Sequence, residues 1–520
     1  MTTEEEYLKI SLLRREGDTM GNNNIKLFKD IYEVDKDKLI SLCKQAADLI
    51  RTRVDYTFIL FLLFYKAISD RWEKEFEERR KYLISIGWSK EEAEKEAEED
   101  IYHKFNFDRS LLWDNVRNSP GNLSEKLSST VKKLEEKNEK YRIIFSQFDF
   151  HAFTSNPENE DILRQLVELF SKYSFKEVST DILGDAYEWI LKYFAPTKAK
   201  EGEVYTPREV IELMVEMVDP EEKKSLYDPA LGSGGILIAA YKYLKEKKNV
   251  SPHKLCGQEV NSKTLAIAEM NLLLHDIEAK FELGDTLLYP KFKEGDFIEV
   301  FDYVLANPPW NQDGYGEETL KKGDYAEKRF VYGYPPNNSA DWAWIQHMLA
   351  SAREKVAIVL DTGSVSRGGR EKEIRRRVIE DDLFECVVLL PEKLFYNTGA
   401  PSVIIIFNKK KPLNRKGKIL LINASREYEE GKKQNTLSDE NIKKIVKAYK
   451  AFKDIEKFSK VITIEDAKEA DYNLSPSRFV SVAEEEEYRL IGEIVADLKK
   501  VEEERKKVEE KLMKILKAIK

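Results

Sequence analysis

The sequence predicts an α/β protein in which a helical N-terminal domain precedes a Rossmann-like, mainly parallel sheet and a long helix ends the chain. Between residues 200 and 425, short strand-like runs alternate with helical segments; the runs lie near positions 225, 255, 281, 303, 357, 386, 404 and 420. Such alternation indicates a doubly wound parallel sheet with helices on its faces. Before this region apolar residues follow helical spacing, and after it they follow a heptad-like spacing.

The N-terminal part of the chain divides into two segments. Residues 1–24 are polar, and we expect them to be disordered or flexible. Residues 25–194 are predicted to form a helical domain, because Leu60, Leu63, Phe64, Ala67 and Ile68 repeat at helical intervals. This stripe is typical of a core rather than of a cofactor site. Residues 73–100 are charged throughout and are typical of a solvated helix.

A glycine-rich turn connects the first predicted strand to a helix. The strand Ser225–Tyr227 is followed by Asp228-Pro-Ala-Leu-Gly-Ser-Gly-Gly235 and then by an apolar helix. Its glycines permit positive φ angles and a close approach of a ligand to the backbone. The spacing is not G-x-G-x-x-G, because position 237 is leucine, and this argues against a nicotinamide cofactor.

Two acidic residues follow the next two predicted strands. Glu259 ends the second strand and is placed to accept hydrogen bonds from ribose hydroxyls, while Asp285 follows the third strand and is placed to accept from an adenine amine. Either acid alone is more often a solvated strand end. The carboxyl ends of adjacent parallel strands, however, line one crevice of an open sheet, so we expect the turn and both acids to share a site.

The tetrapeptide Asn307-Pro-Pro-Trp310 follows the apolar run Phe301–Ala306, which is predicted to be a buried strand. Two prolines end a strand, because proline donates no N–H to the ladder and restricts the residue before it. The amide oxygen of Asn307 and the carbonyl of Pro308 can then accept hydrogen bonds from an NH2 group beside the flat face of Trp310. Adenine fits these features. A strand terminator with a packing tryptophan explains the tetrapeptide alone equally well.

These motifs together resemble the modification subunit of type I restriction-modification systems, which is an adenine-N6 DNA methyltransferase. The turn at residues 228–235 is similar to that family's cofactor loop, residues 307–310 to its catalytic tetrapeptide, and residues 203–208 to its additional cofactor segment. Further similar segments lie at residues 181–188, 340–349, 390–399 and 471–478, in the family's order. The resemblance covers roughly residues 25 to 480.

The resemblance implies S-adenosyl-L-methionine as cofactor, an adenine flipped out of double-stranded DNA as substrate, and no metal. Cofactor binding is expected of Glu203, Val204, Tyr205, Thr206, Pro207, Arg208, Asp228, Pro229, Gly232, Ser233, Gly234, Gly235, Glu259 and Asp285. Catalysis is expected of Asn307, Pro308, Pro309 and Trp310. Leu231, Asp361 and Ser366 depart from the family pattern, and the last two lie in a candidate DNA-facing loop.

The implied domain order is a methyltransferase catalytic domain at 195–425, a connecting segment at 426–483 and an assembly helix at 484–520. Sequence choice is expected from a separate specificity subunit, because no further domain of recognition size follows residue 425. A restriction subunit and a second modification subunit are the other expected partners. The heptad-like positions of the terminal helix are Ile494, Leu498, Val501, Val508, Leu512, Ile515 and Ile519, with Arg505 as an interruption. Folding of this helix back onto its own chain is the alternative.

Composition sets further limits. A net charge of −9 with 35% charged residues argues against a general polyanion binder, so DNA contacts must be local. The candidates are the arginines of Arg367–Arg377 and the loop Lys321–Arg329, and loop 311–339 is a candidate DNA clamp or lid. Three cysteines and the lack of a membrane-spanning run or signal peptide predict a cytoplasmic protein.

Two other functions stay open from the sequence. Protein glutamine methyltransferases also use an Asn-Pro-Pro tetrapeptide, although the long helical domain and the terminal helix argue against that reading. The second alternative is a non-catalytic scaffold that binds DNA and partner subunits, against which Asn307, Glu259 and Asp285 argue because all three are present.

Overall fold

The computed structural model describes residues 34–50, 55–156, 158–200, 205–252, 254–396, 398–432, 434–482 and 491–518. The predicted flexible segment 1–24 and the predicted cofactor residues Glu203 and Val204 lie outside these ranges. Within them the chain is a mixed α/β protein, as predicted, with a helical N-terminal region and a large central sheet.

The strands are β1 Ser225–Asp228, β2 Lys254–Glu259, β3 Lys280–Leu283, β4 Lys293–Glu294, β5 Phe297–Ile298, β6 Phe301–Ala306, β7 Ala352–Asp361, β8 Phe384–Leu389, β9 Ser402–Asn408, β10 Lys418–Asn423 and β11 Ser459–Thr463. Nine of them form one sheet in the order β3-β2-β1-β6-β7-β9-β8-β10-β11, and β4 and β5 pair separately. A strand is present near each predicted position. The strands from β3 to β7 run parallel, whereas β9 is antiparallel to both β7 and β8.

The helices are Lys36–Ile50, Thr57–Ser85, Lys90–Ala97, Trp113–Arg117, Leu123–Lys137, Arg142–Phe145, Phe150–Phe153, Glu158–Phe170, Thr180–Lys200, Arg208–Val218, Gly235–Lys242, Ser262–Leu274, Glu317–Leu320, Ala326–Arg329, Asp341–Ser351, Gly369–Glu380, Asp439–Ala451, Ile464–Glu469, Pro476–Phe479 and Ile491–Ala518.

The central strands are buried along their whole length and are mostly apolar, because both faces of the sheet are covered. Every residue of β6, β8 and β9 is buried. Alternate residues of β9 belong to different cores: Ile404 and Ile406 pack with the helices Arg208–Val218 and Asp439–Ala451, while Ile405 packs with the helix Asp341–Ser351. Continuous apolar runs are typical of parallel sheets buried on both sides.

The helical domain packs against the sheet through the helix Ser262–Leu274. Its residues Ile267 and Met270 belong to the core of the helical domain. Leu265 and Leu272 belong instead to the core on one face of the sheet, with Ile404. The predicted apolar stripe of the helix Thr57–Ser85 is buried in the first of these cores. The helical domain therefore lies beside the strand end at which β2 carries Glu259.

The chain divides less sharply than the predicted boundaries suggest. The helix Thr180–Lys200 continues through position 194, and the segment 426–483 contributes both β11 and the helix Asp439–Ala451 to the sheet domain. In the described ranges no helix combines the length and the apolar character needed to cross a membrane.

Candidate active site

The turn after β1 requires glycine at two positions. Gly232 and Gly234 have φ angles of +55° and +82°, which other residues rarely adopt. A Cβ on Gly234 would also lie 2.4 Å from the side chain of Leu272, whereas a Cβ on Gly232 would meet nothing closer than 4.0 Å. Glycine at position 234 therefore lets the helix Ser262–Leu274 pack closely against the turn, and glycine at position 232 leaves space for a ligand.

Several hydrogen bonds fix the rest of this turn. The carbonyl of Pro229 accepts from Thr286 Oγ1 at 2.7 Å, and the carbonyl of Ser233 accepts from Asn271 Nδ2 at 3.0 Å. Gly235 begins the following helix. The turn is thus held between the loop after β3 and the helix Ser262–Leu274.

Two cavities border the turn. The first cavity, of about 280 Å³, is lined by Glu259, Asp285, Tyr315, Trp344 and Pro309, among others. The second cavity, of about 360 Å³, is lined by Arg208, Asp228, Gly235, Lys242 and Asp439, among others. Tyr205, Gly232, Ser233 and Asn307 contribute to the walls of both.

Glu259 connects the end of β2 to the glycine turn. One carboxylate oxygen accepts from the backbone N–H of Gly232 and the other from that of Asn261, each at 3.0 Å. A carboxylate offers about four acceptor positions, and these two hydrogen bonds fix the orientation of the group at the turn.

Asp285 is held by its own loop and by the loop that follows the tetrapeptide. Its Oδ1 accepts from the backbone N–H groups of Leu287 and Leu288 at 2.9 and 3.1 Å, and its Oδ2 accepts from the hydroxyl of Tyr315 at 2.7 Å. Burial and the adjacent carboxylate raise the pKa of Tyr315, which therefore stays protonated and donates.

The site has an acidic character. Asp228 is buried and accepts from the backbone N–H of Ala230 at 3.0 Å; burial, reinforced by the nearby charge of Glu259, raises the pKa of Asp228 to about 8. Of the described residues that line the first cavity, Glu259 and Asp285 are acidic and none is lysine or arginine. These two carboxylates fit a ligand with positive charge.

Asn307 follows β6 and is half-buried on the wall shared by the two cavities. Its Nδ2 donates to Thr206 Oγ1 at 2.7 Å, and its Oδ1 accepts from the indole N–H of Trp310 at 2.9 Å. Pro308 is buried and Pro309 is exposed. The structure thus brings together the glycine turn, both strand-end acids, the segment 205–208 and the tetrapeptide.

Arg208 lines the second cavity together with Thr206 and Asn307, whereas Pro207, also a described residue, lines neither cavity. Pro207 is the N-cap residue of the helix Arg208–Val218. The guanidinium of Arg208 lies 3.4 Å from the carboxylate of Glu188 and 3.1 Å from that of Glu212.

Trp310 is packed more deeply than the sequence suggests. Its indole N–H donates to the carbonyl of Val359 at 3.1 Å as well as to Asn307, and its ring lies edge to face with Phe395 at 4.8 Å between ring centres. Trp310, which is a described residue, does not line either cavity. Its stacking on a flipped base stays a prediction.

An ionic network fixes the residue after the tetrapeptide. Asn311 has a positive φ of 51°, and its N–H donates to Asp341 at 2.9 Å. The guanidinium of Arg367 binds Asn311 and the carboxylates of Asp341, Asp361 and Glu371. Asp361, which departs from the family pattern, is therefore one of the partners that hold this loop.

The predicted basic DNA contacts need correction. Arg367 is bound to three carboxylates, and Arg375 is buried and donates to the carbonyls of Tyr472, Ser364 and Arg367. Arg329 is buried as well and donates to the carbonyls of Thr286, Leu287 and Asp324. These arginines stabilise loops and are poor candidates for DNA contact, because carboxylates or carbonyls already bind their guanidinium groups, although Nε of Arg329 has no partner among the described residues.

Some residues of the site were not found from the sequence. They are Tyr56, Gln312, Tyr315 and Trp344 in the first cavity and Asp439, Ile442 and Lys443 in the second. Their positions depend on how helices and long loops pack over the sheet, and no local pattern marks them.

Comparison with known proteins identifies the class. The family profile described as N-6 DNA Methylase matches residues 178–488, and the profile described as HsdM N-terminal domain matches residues 41–170. The chain therefore belongs to the N-6 DNA methylase family, and its two regions place it with the methylase subunits of type I restriction enzymes.

Individual relatives agree. The MjaVIII methylase subunit of Methanocaldococcus jannaschii is 48% identical over 91% of this chain and 83% of its own length. The HindI methylase subunit of Haemophilus influenzae is 33% identical over 68% of this chain and 82% of its own. A solved type I methyltransferase subunit from Streptococcus thermophilus superposes with a TM-score of 0.73 at 27% identity, covering 86% of this chain and all of that one.

Proposed function

We propose that this N-6 DNA methylase uses S-adenosyl-L-methionine to methylate the exocyclic amine of an adenine, and that Asn307 accepts a hydrogen bond from that amine. The observation that carries this proposal is the position of Asn307 on a wall shared with Gly232, beside Glu259. Family membership decides against the glutamine methyltransferase alternative.

The residues around the first cavity fit the cofactor. Glu259 suits the ribose hydroxyls, Asp285 the adenine amine, and Gly232 a close approach of the backbone. The acidic lining and the lack of lysine and arginine among the described residues of this cavity suit a sulfonium cation. We assign Glu203 and Val204 to this site from the resemblance alone. When bound, S-adenosyl-L-methionine supplies an electrophilic methyl group.

The chain's own residues then orient and polarise the acceptor amine. The lone pair of this amine is delocalised into the purine ring, so acceptors directed at its N–H bonds favour a pyramidal and more nucleophilic nitrogen. The amide oxygen of Asn307 and the carbonyl of Pro308 are these acceptors; single groups of this kind are typically worth about 3 to 4 kcal/mol. An amide is not a strong base, so the amine proton leaves after the methyl group arrives.

The acceptor base must leave the DNA duplex to reach this pocket. Loop 311–339 begins directly after the tetrapeptide and is anchored to the cavity wall by Tyr315 and Arg329. We infer that this loop contacts DNA beside the flipped adenine.

We further propose that the protein acts in the cytoplasm with a specificity subunit and a restriction subunit, and with a second copy of itself. The exposed apolar side chains of the helix Ile491–Ala518 support assembly, because such a helix needs a partner. The free, buried cysteines Cys43, Cys256 and Cys386 are consistent with a reducing compartment.

Transfer of labelled methyl from S-adenosyl-L-methionine to DNA tests the proposal, with and without the specificity subunit. We expect labelled adenine from the wild-type complex and none from Asn307→Ala, whose cofactor affinity stays within about threefold of wild type. Tyr82→Ala, at an exposed position on the helical domain, is the control and keeps full activity. Full activity of Asn307→Ala would contradict the assignment, and an inactive wild-type complex would favour the scaffold alternative.

A further inference from the structure

The side-chain amide of Asn307 is held on both edges. Thr206 Oγ1 accepts from Nδ2 at 2.7 Å on one edge, and the indole N–H of Trp310 donates to Oδ1 at 2.9 Å on the other. These two partners differ in what they can recognise. A threonine hydroxyl both donates and accepts, whereas an indole N–H only donates. Trp310 is therefore the partner that distinguishes the oxygen of the amide from its nitrogen.

We propose that Trp310 is a positioning residue for methyl transfer, because its indole N–H holds the Asn307 amide in one of its two flip states. In the observed state the second lone pair of Oδ1 is available to the target amine. In the flipped state the amide NH2 would meet the indole N–H, so two donors would face each other and the indole would keep only the carbonyl of Val359 as its acceptor. This inference rests on the proposed role of Asn307 as the acceptor for that amine.

The indole is anchored by elements outside the tetrapeptide. Its N–H is shared with the carbonyl of Val359, which belongs to β7, and its ring contacts Phe395 edge to face at 4.8 Å. The hydrogen bond to β7 thus fixes the donor, while the contact with Phe395 packs the ring. Phenylalanine or tyrosine at position 310 would present a flat ring but no N–H at this point. The absence of Trp310 from the walls of both cavities also fits positioning better than contact with the base.

The decisive variant removes the N–H and keeps the shape of the ring. Replacement of Trp310 by 3-benzothienylalanine puts sulfur in place of the indole nitrogen, and Trp310→Phe is a second variant without the donor. Both are assayed as the complete complex with its specificity subunit, and thermal melting checks that they are folded. We expect kcat to fall about tenfold, on the scale of one lost hydrogen bond to a catalytic group. The KM for DNA and the dissociation constant for S-adenosyl-L-methionine should stay within about twofold.

Phe395→Leu is the matched control, because it alters the packing of the indole and leaves its N–H in place. Its kcat should change less than threefold. Thr206→Val should lower kcat less than the benzothienyl variant, because the threonine hydroxyl does not select the flip state.

Two results would overturn the inference. A wild-type kcat in the benzothienyl variant would show that packing of the ring is sufficient. A raised KM for DNA at unchanged kcat would instead indicate contact with the flipped base. Neither result concerns the proposed function itself, which fails separately if Asn307→Ala retains activity.

Discussion

At the scale of single residues, Asp228 shows how the surroundings of a side chain change its chemistry. Its position directly after an apolar strand suggests an ordinary ionised acid. Burial instead raises its pKa to about 8, so the carboxyl group is mainly protonated at neutral pH in the free protein. Asp228 lines the second cavity, which shares the wall of Gly232, Ser233 and Asn307 with the proposed cofactor cavity. A sulfonium cation bound against that wall favours the ionised form of Asp228 and displaces this proton.

This coupling predicts a pH-dependent affinity for S-adenosyl-L-methionine. As the pH rises from 6 to 7.5 towards the pKa of Asp228, less proton displacement is needed, and the dissociation constant should fall by up to about tenfold per pH unit. Calorimetric titrations over this range measure it; the ammonium group of the cofactor stays largely charged there.

Asp228→Asn provides the comparison for this experiment. The amide is similar in size and does not titrate, so the pH dependence should be much weaker in that variant. A wild-type affinity that does not change with pH would show that cofactor binding does not displace a proton from Asp228.

At the scale of elements, the helix Ile491–Ala518 carries a row of exposed apolar side chains. Leu498, Val501, Val508 and Leu512 are 54 to 64% exposed, although they follow the heptad-like spacing found in the sequence. The exposed apolar side chains argue against folding back onto the described part of the chain. This surface supports the proposed packing against helices of the specificity subunit.

Two sets of substitutions test this surface. The double variant Val501→Glu/Val508→Glu places two glutamates on heptad positions. The double variant Lys500→Glu/Lys507→Glu places two glutamates one position earlier, outside the heptad pattern. We expect the first pair to abolish co-purification with the specificity subunit and the second pair to leave it intact, and neither to change cofactor affinity. Deletion of residues 484–520 should reproduce the first result. Normal assembly of the valine variant would rule out the predicted interface.

At the scale of the whole molecule, the helix that joins the helical domain to the sheet domain carries a buried carboxyl group. Glu269 lies on the helix Ser262–Leu274, and its Oε2 makes no hydrogen bond to any described residue. Burial raises the pKa of Glu269 from 4.5 to about 7. Between these two pH values the folded protein holds a proton that the unfolded chain has lost. This group therefore makes the free energy of unfolding fall as the pH rises through the window, by on the order of 3 kcal/mol.

Glu269→Gln should consequently stabilise the protein more at pH 8 than at pH 5.5, because glutamine does not ionise. Thermal melting at the two pH values measures the difference. Glu278→Gln, at an exposed position shortly after the same helix, is the control and should change the melting temperature at neither pH. An equal effect of Glu269→Gln at both pH values would mean that Glu269 does not titrate in this window.

The sequence by itself located β1, β2, β3, β6, β7, β8, β9 and β10 and marked the residues at the ends of β1, β2, β3 and β6, but it did not reveal β4, β5 or β11. It could locate strands because the buried strands are rich in apolar residues and several of them are followed by a glycine, an acid or a proline pair, and these signals are local. The same local signals marked Gly232, Glu259, Asp285 and Asn307 as candidates.

The tertiary structure alone decided which side chains meet. Thr206 bonds to Asn307, and Arg367 binds carboxylates from other parts of the chain. The indole N–H of Trp310 donates both to Asn307 and to Val359. These contacts join residues that are distant in the chain or shielded from solvent. Arginines that look basic and exposed in the sequence are used up by carboxylates and carbonyls, and an ordinary acid becomes a group that titrates near pH 8. Burial and long-range pairing produce these effects, and neither is written in the spacing of neighbouring residues.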